Sequence, residues 1–170
     1  MATHPHVQKK AQEHIDDLLG DNCLPTLRDR PKLHYIEATM RECFRWRPVG
    51  PLAFPHSTLA DDVVNGYFIP KGTAVFGNVW AMTRDTTVYP DPENFDPKRF
   101  LTEDGSCNND NMFFTFGFGR RICPGRYFAA DAIWIAIACI LAVFDISKAK
   151  DEAGNDIELD NVEYTEGIAM

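Results

Sequence analysis

The sequence predicts a mainly α-helical protein with a small antiparallel β-sheet, and three observations support this. Apolar residues recur at helical spacing in two segments near the start of the chain, 7–19 and 31–46. A central segment, 59–80, replaces that period with short apolar runs separated by turn residues. A third helical segment, 126–144, is strongly apolar. Helices are therefore expected to hold most of the mass.

Composition and charge exclude several classes of function. The 170 residues are 45% hydrophobic and 25% charged, which is typical of a globular domain with a buried core. The 17 basic and 25 acidic residues give a net charge of −8, which disfavours nucleic acids and anionic membranes as partners. The five cysteines are odd in number and form no close pair, so we expect free thiols in a reducing compartment.

The segment 132–144 is the only candidate for a membrane span. It holds 13 uncharged residues between Asp131 and Asp145, whereas a span needs about 20 apolar residues. We therefore expect a buried helix and no transmembrane segment in this chain. The N-terminus also lacks the basic start and apolar run of a signal peptide.

Two amphipathic helices are predicted to open the chain. The first begins near Pro5, which is tolerated in a first turn, and ends at Gly20. After a polar connection, the second runs from Pro31 to about Trp46, because Pro48 cannot continue it. The apolar stripes are Val7, Ala11, Ile15, Leu18 and Leu19 in the first helix, and Leu33, Ile36, Met40 and Phe44 in the second.

The middle of the chain is predicted to form the small sheet and then an irregular segment. Asn65-Gly66 favours a tight hairpin turn because both positions tolerate positive φ. A further strand includes 74–76, and a short helix is expected at 82–85. Three prolines in 89–97 exclude a long helix or a central strand there. The acidic tail is predicted to turn at Gly154-Asn155.

The chemistry is expected in a glycine-rich loop, 116–125, that leads into the last helix. Cys123 lies where the unpaired N–H groups of a helix N-terminus favour an anion, with Pro124 fitting the first helical position. Gly125 leaves room for N–H groups to approach the sulfur. Arg120, Arg121 and Arg126 add positive charge. The loop therefore predicts a thiolate nucleophile or metal ligand; the alternative is a buried structural cysteine.

The order of residues in this loop is specific. Phe116, Gly119, Arg121, Cys123 and Gly125 match the pattern Phe-x-x-Gly-x-Arg-x-Cys-x-Gly. This pattern resembles the haem-binding loop of the cytochrome P450 family. The resemblance implies haem b with Cys123 as catalytic axial ligand to the iron, and Gly117 among the residues around the cofactor. It also implies Arg121 as a propionate partner, since a guanidinium can bind a carboxylate with two bonds, and Phe116 packed beside the ring.

Two further motifs resemble the same family in the same order. Glu42-Cys-Phe-Arg45 is similar to the Glu-x-x-Arg pair of its K helix, and 95–100 is similar to its meander, with Arg99 as the third member of a network. In isolation the pair would lie on a helix surface and contribute ~0.2–0.5 kcal/mol, and Arg99 would be a solvated loop charge. A buried network would specify geometry more surely than stability.

His56 is the weakest of the candidate residues. The segment Phe54-Pro-His56, with 61–73, is similar to the strand that lines one edge of the haem in the family, where an Arg or His meets a propionate. His56 is therefore a candidate cofactor contact. The alternative is an ordinary surface histidine.

The resemblance runs along the whole chain but corresponds only to the C-terminal part of the family fold. We expect the J and K helices, the small sheet, the meander, the cysteine loop and the L helix of that fold. The sequence is most similar to those of fungal microsomal members of the family. Residues 1–170 are then a partial domain without the N-terminal anchor, the distal oxygen-activation helix or the last strand. No Ala-Gly-x-Asp/Glu-Thr segment occurs.

Two functions follow from the resemblance. The first is a monooxygenase that inserts one oxygen atom from O2 into an apolar small molecule. Its electrons come from an NADPH-dependent reductase that docks near Arg120 and Arg126, at the cytosolic face of the endoplasmic reticulum or, for a chain without an anchor, in the cytosol. The alternative is a truncated, catalytically incompetent chain that binds haem poorly or associates with other chains. A hydrolase would need a His base near Cys123, and no motif provides one.

Overall fold

The computed structural model describes residues 1–20 and 23–158, which form four α-helices, two pairs of short strands and three 3-10 turns. This agrees with the predicted mainly α fold. The helices are α1 (Pro5–Leu19), α2 (His34–Trp46), α3 (Val79–Met82) and α4 (Arg126–Val143). The strands are β1 (His56–Ser57), β2 (Asp62–Val64), β3 (Tyr67–Ile69) and β4 (Ala74–Val75). The 3-10 turns are Pro97–Phe100, Phe113–Phe116 and Gly119–Arg121.

The predicted sheet is two separate antiparallel pairs in the described residues. β2 pairs with β3 across the Asn65-Gly66 turn, whose φ angles of 53° and 83° confirm the predicted hairpin. β1 pairs with β4, with His56 opposite Val75. Between the two pairs, the Lys71 N–H donates to the Asp61 side chain at 2.7 Å, where a continuous sheet would have a backbone-to-backbone hydrogen bond.

Two predicted helix boundaries are wrong. α2 begins at His34 and not at Pro31, because Leu33 has a non-helical ψ of 61° and the preceding residues form turns, with the Lys32 N–H donating to the Asp29 carbonyl. The short helix expected at 82–85 lies at Val79–Met82, because the Asn78 side chain accepts from the Ala81 N–H at 3.0 Å and so starts it earlier.

The main core lies where α1 and α2 pack against α4. Its fully buried members include Val7, Ala11 and Ile15 of α1, Ile36 and Met40 of α2, and Trp134, Ala138 and Leu141 of α4. The apolar stripes predicted for the first two helices thus form this core, except for Leu18, which is 37% exposed. A second cluster, made by Ala38, Tyr89, Phe100 and Met112, joins α2 to the irregular segment 89–112.

α4 is buried on one face only. Ala130, Trp134, Ala138 and Leu141 are buried, whereas Phe128 is 80% and Val143 58% exposed. The prediction of a buried helix is therefore correct for one face and wrong for the other. By length and composition α4 could cross a membrane, with 22% of it buried inside the structure, but a core helix meets the same criteria.

The described part of the acidic tail turns as predicted. Lys150 and Asp156 form an isolated antiparallel bridge around Gly154, whose φ is 87°. The prediction that the chain lacks the last strand concerns its C-terminal end, which lies outside the described residues.

Candidate functional site

The cysteine loop is closed by a backbone hydrogen bond between its two ends. The Cys123 N–H donates to the Phe116 carbonyl at 3.0 Å. Between these residues, Gly117 and Gly119 have φ angles of 97° and 57°, in the left-handed region that glycine adopts without strain. The sequence therefore folds here into a compact loop that sets Cys123 beside Phe116.

Cys123 is half-buried and reduced, and its sulfur is unengaged within the described residues. Neither a hydrogen bond nor an ion pair reaches Sγ from the described ranges, while its carbonyl accepts from the Arg126 N–H at 3.4 Å and from Arg126 Nη1 at 3.2 Å. A Cβ built on Gly125 would lie 3.8 Å from Sγ, so this glycine borders the sulfur directly. The thiol is thus held in place through its backbone.

The prediction that Pro124 occupies the first helical position is wrong. α4 begins at Arg126, and Gly125 is its N-cap. Cys123 therefore lies two residues before the cap. The reason is local: the turn that joins the loop to the helix uses Pro124 and Gly125, with the Gly125 carbonyl accepting from the Ala129 N–H at 2.9 Å.

An aromatic cluster fixes the start of the loop to two helices. The Phe116 ring contacts the Phe44 ring of α2 edge to face, with centroids 5.4 Å apart, and the Phe113 ring at 6.2 Å. Phe113 in turn contacts Tyr127 of α4 at 5.5 Å. Edge-to-face pairs of this kind stabilise beyond their buried area, so Phe116 is a rigid neighbour of Cys123.

The three arginines around the loop differ in their engagement. Arg126 donates to Cys123 and to the Tyr127 hydroxyl, and its guanidinium lies 4.3 Å from the Tyr127 ring centroid. Arg120 and Arg121 are exposed and form no ion pair or hydrogen bond with any residue in the described part of the chain. Two cations therefore remain available at the loop for an anionic group.

Glu42 and Arg45 lie fully buried, so they are no surface pair. Arg45 Nε donates to Glu42 Oε2 at 2.6 Å and Arg45 Nη2 to Glu42 Oε1 at 2.8 Å. The remaining donors of Arg45 reach the backbone carbonyls of Thr83, Pro92 and Asn94 at 3.0, 2.8 and 3.3 Å. Helix α2 is thereby tied to the proline-rich segment.

Arg99 completes this network from the other side. Its Nε donates to Glu42 Oε1 at 3.2 Å, and its Nη atoms donate to the carbonyls of Pro90, Asp91 and Asn94. The Asp96 N–H also donates to Glu42 Oε1, at 2.8 Å. The structure thus brings Glu42, Arg45 and Arg99 together, and Arg99 is not a solvated loop charge.

In the described residues, no side-chain contact joins His56 to the cysteine loop or to the network of Glu42, Arg45 and Arg99. It is an exposed residue of β1, and the described ranges offer its ring no hydrogen-bond or ion-pair partner. Its role as a cofactor contact stays a prediction.

Sequence reasoning missed a second arginine cluster beside the network. Arg84 stacks on the Trp80 ring, 3.3 Å from its centroid, and donates to the Trp46 carbonyl at 2.7 Å and to Glu93 at 3.1 Å. Burial lowers the pKa of the Arg84 guanidinium, and Glu93 opposes that shift. Trp80 and Arg84 are four positions apart, which is helical spacing, but no such spacing relates them to Trp46 or Glu93, so the sequence pattern did not indicate the whole cluster.

Comparison with known protein families identifies the class of this protein. The model of the family described as cytochrome P450 matches residues 1–166. The chain therefore belongs to the cytochrome P450 family, whose members are oxidoreductases that carry haem on a cysteine thiolate.

Three fungal relatives illustrate the similarity. The chain is 50% identical to cytochrome P450 monooxygenase ple1 of Rhodocybe pseudopiperita, over 93% of this chain and 31% of that protein. It is 48% identical to cytochrome P450 monooxygenase claR of Ampulloclitocybe clavipes, over 98% and 31%. It is 42% identical to cytochrome P450 monooxygenase yanC of Aspergillus niger, over 100% and 34%. The chain thus spans about a third of the length of these relatives.

Proposed function

We propose that the chain is the haem-binding portion of a haem-thiolate monooxygenase. The proposed reaction inserts one oxygen atom from O2 into an apolar organic substrate, with electrons from an NADPH-dependent reductase. One observation carries the proposal: Cys123 presents an unengaged sulfur, within the described residues, in a loop closed onto Phe116 and bordered by the unpartnered Arg121.

The residues of the loop fit haem b. A cysteine thiolate is a suitable axial ligand for haem iron, and Cys123 has no competing side-chain partner in the described ranges. Arg121 would hold a propionate with two parallel bonds, and His56 would meet the other edge. Gly117, Gly119 and Gly125 offer no side chain to obstruct the cofactor. When bound, haem supplies the iron that activates O2.

The network of Glu42, Arg45 and Arg99 has a supporting role in this proposal. Arg45 of α2 donates to the carbonyls of Thr83, Pro92 and Asn94. Arg99, which is paired with Glu42 of α2, donates to the carbonyls of Pro90, Asp91 and Asn94, so the network holds the segment 90–94 against α2. The same helix carries Phe44, on which Phe116 packs. Movement of α2 would therefore be transmitted to the cysteine loop.

The proposed function also implies which helices of the family fold the helices of this chain correspond to. We propose that α1, α2 and α4 correspond to the J, K and L helices, and 89–100 to the meander. Residues 1–170 would then form the part of the domain on the cysteine side of the haem. Arg120 and Arg126 would contribute to the surface that meets the acidic reductase, at the cytosolic face of a membrane.

The alternative function, haem binding without turnover, is favoured by a different observation. Among the described residues, the loop around Cys123 is open to solvent, since Arg121, Pro124 and Gly125 are exposed. Water next to a haem site would quench reactive intermediates that a closed site protects.

The deciding experiment is the absorption spectrum of the reduced, carbon monoxide-bound chain after haem addition. We expect a red-shifted Soret band that disappears in Cys123→Ala and persists in Cys23→Ala, which changes an exposed free cysteine. Turnover with a reductase then separates the two functions. A spectrum typical of free or histidine-bound haem, unchanged in Cys123→Ala, would contradict both haem-thiolate assignments.

A further inference from the structure

The ring of Phe118 lies directly on the backbone of Gly77. A Cβ placed on Gly77 would come within 2.4 Å of Phe118 Cε2, 3.1 Å of Cζ and 3.2 Å of Cδ2. A separation of 2.4 Å is far inside van der Waals contact between carbon atoms. The ring therefore fits only because Gly77 has no side chain.

Hydrogen bonds fix the backbone at Gly77 and directly after it. The Gly77 carbonyl accepts from the Val79 N–H at 2.8 Å, and the Asn78 side chain caps α3 through the Ala81 N–H. Val79 itself is completely buried. Gly77 has no positive φ, so alanine is allowed there by backbone conformation. The closest contacts of a side chain at position 77 are thus all with the Phe118 ring.

Phe118 carries the side chain in the glycine-rich centre of the cysteine loop. It lies between Gly117 and Gly119, which both have positive φ and lack side chains that could pack. On the other side of Gly117, Phe116 is fastened to α2 through Phe44. The loop is therefore held at two points, one on α2 and one on the connection between β4 and α3.

We propose that Gly77 is a positioning residue for Cys123. By leaving space for the Phe118 ring, it seats the cysteine loop against the β4–α3 connection and so sets where the sulfur lies. The part of this inference that concerns haem rests on the proposed function. Neither Gly77 nor Phe118 is one of the five positions of the cysteine-loop pattern.

The test combines Gly77→Ala with Phe118→Leu and reads out Cys123 in two ways. In the haem-free chain, mass spectrometry of peptides measures the rate at which iodoacetamide alkylates Cys123. After haem addition, the reduced carbon monoxide spectrum measures the red-shifted fraction. We expect Gly77→Ala to speed alkylation about fivefold or more and to lower that fraction, because overpacking displaces the loop.

The double variant decides whether the effect passes through the ring. Phe118→Leu shortens the side chain, so Gly77→Ala is expected to change neither readout by more than about twofold in that background. Gly50→Ala is the matched control, because its Cβ would meet its nearest atoms at ordinary contact distances of 3.8 and 4.0 Å. It is expected to leave both readouts and the melting temperature unchanged.

The outcomes separate this inference from the proposed function. The positioning role would be overturned in two cases. Either Gly77→Ala has the same effect in the wild-type and in the Phe118→Leu backgrounds, or it has no effect in either background. If the wild-type chain shows no red-shifted band, but the alkylation rates couple as expected, the positioning role stands and the haem-thiolate function fails. If Gly77→Ala alone does not fold, recovery of folding and of the wild-type alkylation rate in the double variant supports the role, and absence of recovery overturns it.

Discussion

Glu42 and Arg45 form a two-bond ion pair in which neither side chain is exposed to solvent. The bonds measure 2.6 and 2.8 Å, and the pair lies one helical turn apart on α2. The pair is satisfied on every side: Arg99 and the Asp96 N–H reach the carboxylate, and backbone carbonyls take the other donors of Arg45. Such a pair holds geometry firmly, because losing one partner leaves a buried charge.

The substitution Glu42→Gln is expected to destabilise the fold by about 3–5 kcal/mol, since it leaves the Arg45 guanidinium buried without its counter-charge. Chemical denaturation monitored by circular dichroism measures this. The control is Glu13→Gln, which breaks an exposed pair with Lys9 at 4.0 Å and should cost no more than about 0.5 kcal/mol. Equal midpoints for the two variants would contradict the structural role of Glu42.

Arg121 and Arg120 provide a matched test of propionate binding. Both are exposed and, in the described ranges, unpartnered, so Arg121→Gln and Arg120→Gln should melt like the wild type. A charge-assisted bond contributes about 1.5–3 kcal/mol, so we expect Arg121→Gln to weaken haem binding by tenfold or more and Arg120→Gln to leave it nearly unchanged. Haem titration followed at the Soret band measures both. Equal losses would indicate a general effect of charge.

The burial of the Tyr35 phenol is expected to make the stability of the fold depend on pH in the alkaline range. Burial raises the pKa of its phenol to about 12, and the Asp96 carboxylate acts in the same direction. The neutral phenol is therefore favoured in the folded state. Its contribution to the free energy of unfolding is complete below pH 10 and is lost as the pH rises towards 12. Tyr35→Phe should show a shallower fall in stability over this interval.

Urea denaturation at several pH values measures that difference. Tyr67→Phe is the matched control, because it removes a hydroxyl from a tyrosine that is 75% exposed, and its profile should follow the wild type. If the stabilities of Tyr35→Phe and the wild type change with pH in parallel, the pKa of the Tyr35 phenol is the same in the folded and unfolded states.

The exposed face of α4 predicts self-association. Phe128 and Val143, on the same outward face, are 80% and 58% exposed, and large exposed apolar patches promote association. The double substitution Phe128→Gln and Val143→Gln should lower light scattering at a given concentration without loss of stability. Ala138→Gln, at a completely buried position of the same helix, should instead unfold the chain. Unchanged scattering in the surface variant would exclude this face as the cause.

Local sequence signals predicted the elements whose cause is local. Pro5 and Gly20 bracket α1, Asn65-Gly66 turns the β2–β3 hairpin, and Gly154 turns the tail. Turn and cap chemistry acts within a few residues, so it can be seen without the fold. The starts of α2 and α3 were misplaced because they depend on the ψ of Leu33 and on the Asn78 cap.

The candidate site divides in the same way. The spacing from Phe116 to Gly125 identified the cysteine loop, because five positions in ten residues specify it, and it placed Arg121 beside Cys123 along the chain. The pattern could not show that Gly125, and not Pro124, lies next to α4 as its cap. Nor could it show the stacking of Arg84 on Trp80 or the seat of Phe118 on Gly77.

The sequence by itself determined the family, the mainly helical class and the loop that carries Cys123, because each depends on residue order over short distances. Only the tertiary structure decided that Glu42, Arg45 and Arg99 share one buried cluster, and that a glycine 41 positions away seats the ring of Phe118. Burial and steric contact arise between segments that are distant in the chain. Their energies are therefore fixed by packing and cannot be read from residue spacing.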